Sequence, residues 1–159
     1  MISGLRLVAP LCLMLAACAA PPPAAVNRRA ADVTVTDVTA QALPALNRLR
    51  TAAGTAPVRA SEKLAAAAQA HAGDMAARGY FAHKGPNGST LTRRMARQGY
   101  GYCFAAENIA KGQTSLEAVM RSWQSSPGHR RNMLNGEARE VGLARAGTVW
   151  VMVLGRPGC

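Results

Sequence analysis

The stretch Val149-Trp150-Val151-Met152-Val153-Leu154 constrains the fold more than any other in the chain. Successive side chains of a strand point to opposite faces, so a strand with one wet face alternates apolar with polar residues. Here both sets are apolar: Val149, Val151 and Val153 on one side, Trp150, Met152 and Leu154 on the other. Such a strand must be covered on both faces, which calls for a sheet between two layers. The segment before it, from Arg139 to Gly147, predicts a hairpin partner with the turn at Ala146-Gly147.

The upstream segments supply the covering layers. Leu43, Leu46, Leu49 and Ala53 recur at helical spacing, with Gly54 as the stop; Pro44 either starts this helix or kinks it. The alanine-rich run from Ser61 to Gly79 predicts a second helix. It places Leu64, Ala68, His71, Ala72 and Met75 on one face, and its small residues suit close packing. His71 on that stripe reads as a hydrogen-bonded core residue. Tyr80 to Thr90 is a loop, rich in Gly, Pro and Asn. A short amphipathic helix follows, with Leu91 and Met95 on one side and Arg93, Arg94 and Arg97 largely on the other. Cys103 to Ala110 is a strand candidate. Thr114 or Ser115 then caps a helix that turns Leu116, Val119, Met120 and Trp123 inward, and Pro127-Gly128 ends it. There are no internal repeats. The order predicts an α+β domain, a small antiparallel sheet flanked by helices.

The N-terminus has another character. Arg6 followed by the apolar run Leu7–Leu15 is too short to span a bilayer and fits an export signal. Leu15-Ala16-Ala17-Cys18 resembles a bacterial lipobox, which implies cleavage before Cys18 and lipid on that cysteine. Residues 1–17 are thus expected to be a lipoprotein signal peptide, and residues 18–37, with three consecutive prolines, a tether. The domain is expected over 38–159. Ala19 after the cysteine lacks the acidic character of an inner-membrane retention signal, so an outer membrane is the favoured address if the cell has one. Cys103 and Cys159 are then an even pair in an oxidising compartment. They predict a disulfide, with two free thiols as the alternative. The formal charge of +11 falls to +10 without Arg6. With export expected, such a balance points to anionic envelope lipid, glycan or protein rather than nucleic acid.

Common catalytic signatures are missing: no Gly-x-Ser-x-Gly elbow, His-Glu-x-x-His or phosphate-binding glycine loop occurs. Three polar groups stand in apolar settings: His83, Glu107 and His129. A carboxylate within an apolar strand needs partners, because burying it alone is costly. With no basic residue in that strand, a His83–Glu107–His129 cluster is the economical expectation. Arg130 and Arg131 are expected to meet surface carboxylates or solvent.

The runs Ala70–His83, Ala106–Gly112, Val119–Leu134 and Val141–Gly155, taken together, resemble the CAP superfamily, the sperm-coating-protein or cysteine-rich secretory protein domain. The resemblance covers about residues 40 to 155. It implies an α-β-α sandwich and a cleft lined by two histidines and acidic residues, which in some members binds a divalent metal such as zinc. His83, Glu107 and His129 match the family's first His, first Glu and second His. The family's second Glu, after the tryptophan, is absent here: Gln124, Ser125 and Ser126 follow Trp123. That leaves three candidate metal ligands where a closed structural zinc site prefers four. The expected function is a lipid-anchored envelope binding module with this cleft. The alternatives are a purely structural His-Glu-His network and a hydrolase using Glu107 or a metal-bound water as base and a histidine as acid.

Overall fold

The computed structural model describes Met1 and residues 33–158. The expected signal peptide, Cys18, most of the expected tether and Cys159 lie outside the described residues. In chain order the elements are β1 (Val35–Asp37), α1 (Thr39–Ala52), β2 (Arg59–Ala60), α2 (Glu62–Arg78), α3 (Leu91–Arg97), β3 (Tyr102–Lys111), α4 (Leu116–Ser125), α5 (Pro127–Met133), β4 (Glu140–Ala146) and β5 (Val149–Pro157).

The sheet runs β1-β4-β5-β3. It is antiparallel except for the short β2, which pairs parallel with the start of β4. β5 lies between β4 and β3 and is buried from Val149 to Gly155. Its two apolar sets part as expected. Trp150, Met152 and Leu154 pack with Leu46 of α1, Trp123 of α4 and Met133 of α5. Val149, Val151 and Val153 pack with Leu64, Ala68 and Met75 of α2 and Met95 of α3. The result is the α-β-α sandwich.

The alanines of α2 allow a very close approach to the sheet. At Gly142 of β4, an added Cβ would stand 2.0 Å from the amide nitrogen of Ala65. The β4–β5 hairpin turns through Gly147-Thr148, one residue later than expected, with Gly147 at φ 59°. Side chains with a Cβ rarely adopt that conformation.

Four elements differ from the sequence expectation, the two-residue β2 among them. Residues 35–37 lie in the sheet as β1, so ordered structure begins inside the expected tether. Three residues carry too little pattern to separate from a linker. Pro44 does not start α1; the helix begins at Thr39 and runs through Pro44 to Ala52, and Asp37 Oδ1 accepts from the Thr39 amide at 2.8 Å. Pro127-Gly128 ends α4 but also opens α5, with proline in the first turn, where its missing N–H costs nothing.

Candidate functional site

β3 is the edge strand on the side away from β1, and two adjacent residues on it face opposite layers. The neighbours of Glu107 on its own face, Ala105 and Ile109, pack with the α2–α3 layer. Those of Asn108, Ala106 and Ala110, pack with the α1–α4–α5 layer. Strand alternation thus sends the carboxylate one way and the amide the other.

Glu107 is buried, and both its oxygens are engaged. Oε1 accepts from His83 Nδ1 at 2.8 Å, and Oε2 accepts from Arg94 Nη2 at 2.7 Å. His71 Nε2 stands 3.9 Å from Oε1, too far for a direct hydrogen bond. Arg94 is itself buried and also donates to the carbonyls of His83 and Ser89 and to Ser89 Oγ. It therefore ties the Tyr80–Thr90 loop to α3 and fixes the loop that carries His83. The His83 side chain is 61% exposed, so the pair presents an aligned imidazole to solvent.

On the opposite face, Asn108 Nδ2 donates to the carbonyl of His129 at 3.1 Å, and Asn132 Nδ2 donates to Asn108 Oδ1 at 2.8 Å. Asn132 Nδ2 also reaches the Glu107 carbonyl, and Trp123 Nε1 donates to that of Ile109. These side chains from α4 and α5 satisfy carbonyls along a sheet edge that would otherwise be open to pairing. His129 Nδ1 shares a hydrogen bond with Ser126 Oγ at 2.9 Å.

The electrostatics separate the exposed His83 ring from the half-buried His129 ring. The hydrogen bond to Glu107 pushes the pKa of His83 above its ordinary value, against the opposing effect of burial. Burial and, after it, the nearby charge of His83 push that of His129 down. His83 is the ring disposed to carry charge, and His129 the ring disposed to stay neutral.

The structure thus brings His83 onto Glu107 and places His129 nearby through Asn108, without a hydrogen bond between His129 and Glu107. The cationic partner of Glu107 is Arg94, which the sequence pattern placed largely on a polar face. An arginine thirteen positions upstream, on another element, leaves no local signal for the pairing. Nothing in the sequence pattern singles out Ser126 and Asn132; their hydrogen bonds arise from the α5 turn, whose Pro-Gly opening reads as a stop. Among the described residues, no group of three or more His, Cys, Asp and Glu is arranged to hold a metal. Glu107 is committed to His83 and Arg94, and the donors left over are two imidazole Nε2 atoms. This set falls short of the expected three-ligand site.

Cys103 is disulfide-bonded and sits at a bulge in β3, between the paired positions Tyr102 and Phe104. Its expected partner Cys159 lies outside the described residues. Tyr102 pairs with Pro157 of β5, and the Gly158 amide donates to the Gly101 carbonyl, so the end of the chain runs beside Cys103.

The family model for CAP, the cysteine-rich secretory protein family, matches residues 43–151. The uncharacterized protein YkwD of Bacillus subtilis is 36% identical over 106 residues, 65% of this chain and 41% of that protein. The uncharacterized membrane protein YlbC of the same organism is 29% identical over 103 residues, 65% of this chain and 30% of that protein. The chain thus spans less than half the length of these relatives. An extracellular protein of Bacillus anthracis containing an SCP domain superimposes with TM-score 0.71 at 28% identity, over 74% of this chain and 39% of that one. An outer surface protein of Borrelia burgdorferi shares the fold, with TM-score 0.71 at 19% identity, over 79% of this chain and 99% of that one.

Proposed function

The chain belongs to the CAP family of cysteine-rich secretory proteins, and from that premise we propose that it is an exported binding module of the cell envelope. Its ligand site is the face formed by His83 and His129 along the β3 edge, and its ligand carries exposed phosphate or carboxylate. One observation carries this reading. A buried, doubly bonded Glu107 holds an exposed His83 in the ring state that favours charge, while the adjoining cations Lys84, Arg130 and Arg131 have no carboxylate partner among the described residues. Extracellular and surface proteins among the structural neighbours accord with export. Lipid on Cys18 would hold the module at the membrane, and detergent partitioning lost in Cys18→Ser tests that part.

The ligand site is tested by binding of the chain lacking its first eighteen residues to phosphatidylglycerol vesicles, against phosphatidylcholine vesicles as control. Each cation near an anionic surface contributes about 1 kcal/mol, so a His83→Ala/Arg130→Ala/Arg131→Ala variant should lose about thirtyfold or more in affinity. Arg48→Ala, on exposed α1 surface, should lose far less. Equal losses would reduce the effect to general charge attraction and reject the site.

Two other readings each have a specific handle. Ser126 Oγ beside His129 Nδ1 has the geometry of a nucleophile next to a base, although no third group among the described residues orients the ring. Covalent labelling of Ser126 by a fluorophosphonate would support a hydrolase, and its absence would remove that mechanism. A divalent cation would rest on His83 and His129 together with water. Calorimetric zinc titration of the wild type and of His83→Ala/His129→Ala decides it, with saturable one-to-one binding lost in the variant as the supporting result.

A further inference from the structure

A small cavity of about 130 Å3 lies between α2, α3 and the Tyr80–Thr90 loop, beside His71 and Arg94, which both approach Glu107. Its polar lining comes from His71, Asp74, Asn87, Ser89, Arg94 and Arg97. Two buried polar atoms of these residues have no hydrogen-bond partner, His71 Nε2 and Arg94 Nε. His71 is only 1% exposed and Arg94 3%, so neither atom is satisfied by bulk solvent. A buried donor or acceptor left unpaired keeps the full cost of its lost hydration, which makes a shared partner strongly favoured.

The chemistry of the two atoms identifies the partner. His71 hydrogen-bonds the backbone of Ala82 in a way that favours its protonated form, so the ring donates there; since Nε2 is unpartnered, the donor is Nδ1. Burial, the largest influence on this ring, holds it neutral. A neutral imidazole with its hydrogen on Nδ1 presents a lone pair at Nε2. The unpartnered atoms of this lining are therefore one acceptor, His71 Nε2, and one donor, the Arg94 Nε–H. An anion has no hydrogen for Nε2, and a metal cation would face the Arg94 and Arg97 guanidinium groups. Water meets both needs, accepting from Arg94 and donating to His71. Its second hydrogen suits Glu107 Oε1, 3.9 Å from His71 Nε2 and out of direct reach. Three partners is the usual complement of a buried water, and the cavity is large enough for one.

We propose that this cavity is a structural water site joining His71, Arg94 and Glu107, and that His71 is a positioning residue for the Glu107–His83 pair. His71 acts on the exposed ring through water and carboxylate, although it touches neither solvent nor ligand. The proposal stands independently of what binds at the His83 face.

The test is a high-resolution crystal structure of the wild type, of His71→Gln and of His71→Leu, with the 15N signal of His83 Nδ1 followed in solution. The wild type should show one ordered water within hydrogen-bond distance of both His71 Nε2 and Arg94 Nε. His71→Gln keeps a polar group at the site and should retain the water and the His83 signal. His71→Leu should lose the water and shift that signal while remaining folded by circular dichroism. A dry cavity, or chloride in place of water, would overturn the site. A His83 signal unmoved in a folded His71→Leu, or moved equally in both variants, would overturn the positioning role. Should His71→Leu fail to fold, Arg94→Lys supplies the second arm: it removes the Nε–H donor and should likewise lose the water, whereas an unchanged water would contradict the proposal.

Discussion

Glu107 is buried among three basic side chains, and removing any one leaves a charge or a donor without its partner. Arg94→Met should cost about 3–5 kcal/mol in urea denaturation, because the carboxylate would stay buried without its cation. Adding Glu107→Gln should recover part of that loss, since the unpaired charge goes with it; simple additivity of the two would contradict the coupling. His71 adds a pH dependence whose sign follows from its burial. Its pKa in the fold lies below the ordinary value of 6.5, so the unfolded chain takes up the proton first as the pH falls. Stability should decline from about pH 6.5 downward until the folded ring also protonates, and His71→Gln should flatten that limb of the denaturation profile. At this scale the sequence showed which residues were anomalous but not all their partners. A carboxylate between apolar residues, and histidines beside aromatic or Pro-Gly neighbours, stand out against their surroundings. Arg94 does not, because an arginine on a short amphipathic helix looks the same whether its head group meets water or a buried carboxylate.

Among the elements, the contact between α2 and β4 is the least tolerant. Gly142→Ala would drive a methyl group into the backbone at Leu64 and Ala65, where the nearest atoms are not flexible side-chain tips. The expected loss exceeds the ~1–3 kcal/mol usual for overpacking, and failure to accumulate folded protein is the expected readout. A variant with near wild-type thermal stability would show that α2 can move away from the sheet. The alanine run of α2 hinted at such packing, but the glycine that receives it lies far along the chain. Long periodic segments were legible, and short ones were not. β1 and β2 have three and two residues, too few for a period to be counted, and the Pro127-Gly128 opening of α5 reads as a stop rather than a start.

For the whole molecule, the doubly apolar β5 dictated two covering layers, and the sandwich follows from it. The ends of the chain were harder to read. β1 adds a sheet edge from within the expected tether, and the C-terminal residues run back along β3 beside the disulfide-bonded Cys103. If Cys159 is the partner, as its place after β5 suggests, the bond closes a loop of more than fifty residues. Its reduction should lower stability by roughly 3–5 kcal/mol on the chain-entropy relation. Peptide mapping should recover a Cys103–Cys159 cross-link, and recovery of any other pairing would contradict the assignment. The most direct test of the proposed binding face is the affinity for phosphatidylglycerol vesicles as a function of pH, for the wild type and for His83→Gln. Glu107 raises the pKa of His83, so the ring is cationic at the acid end and loses its charge as the pH passes above the ordinary histidine value. The account predicts that wild-type affinity falls as pH rises through about 6 to 8, the range in which histidines change charge, and that His83→Gln removes this fall. Affinity that is flat with pH, or that falls equally in the variant, would contradict it.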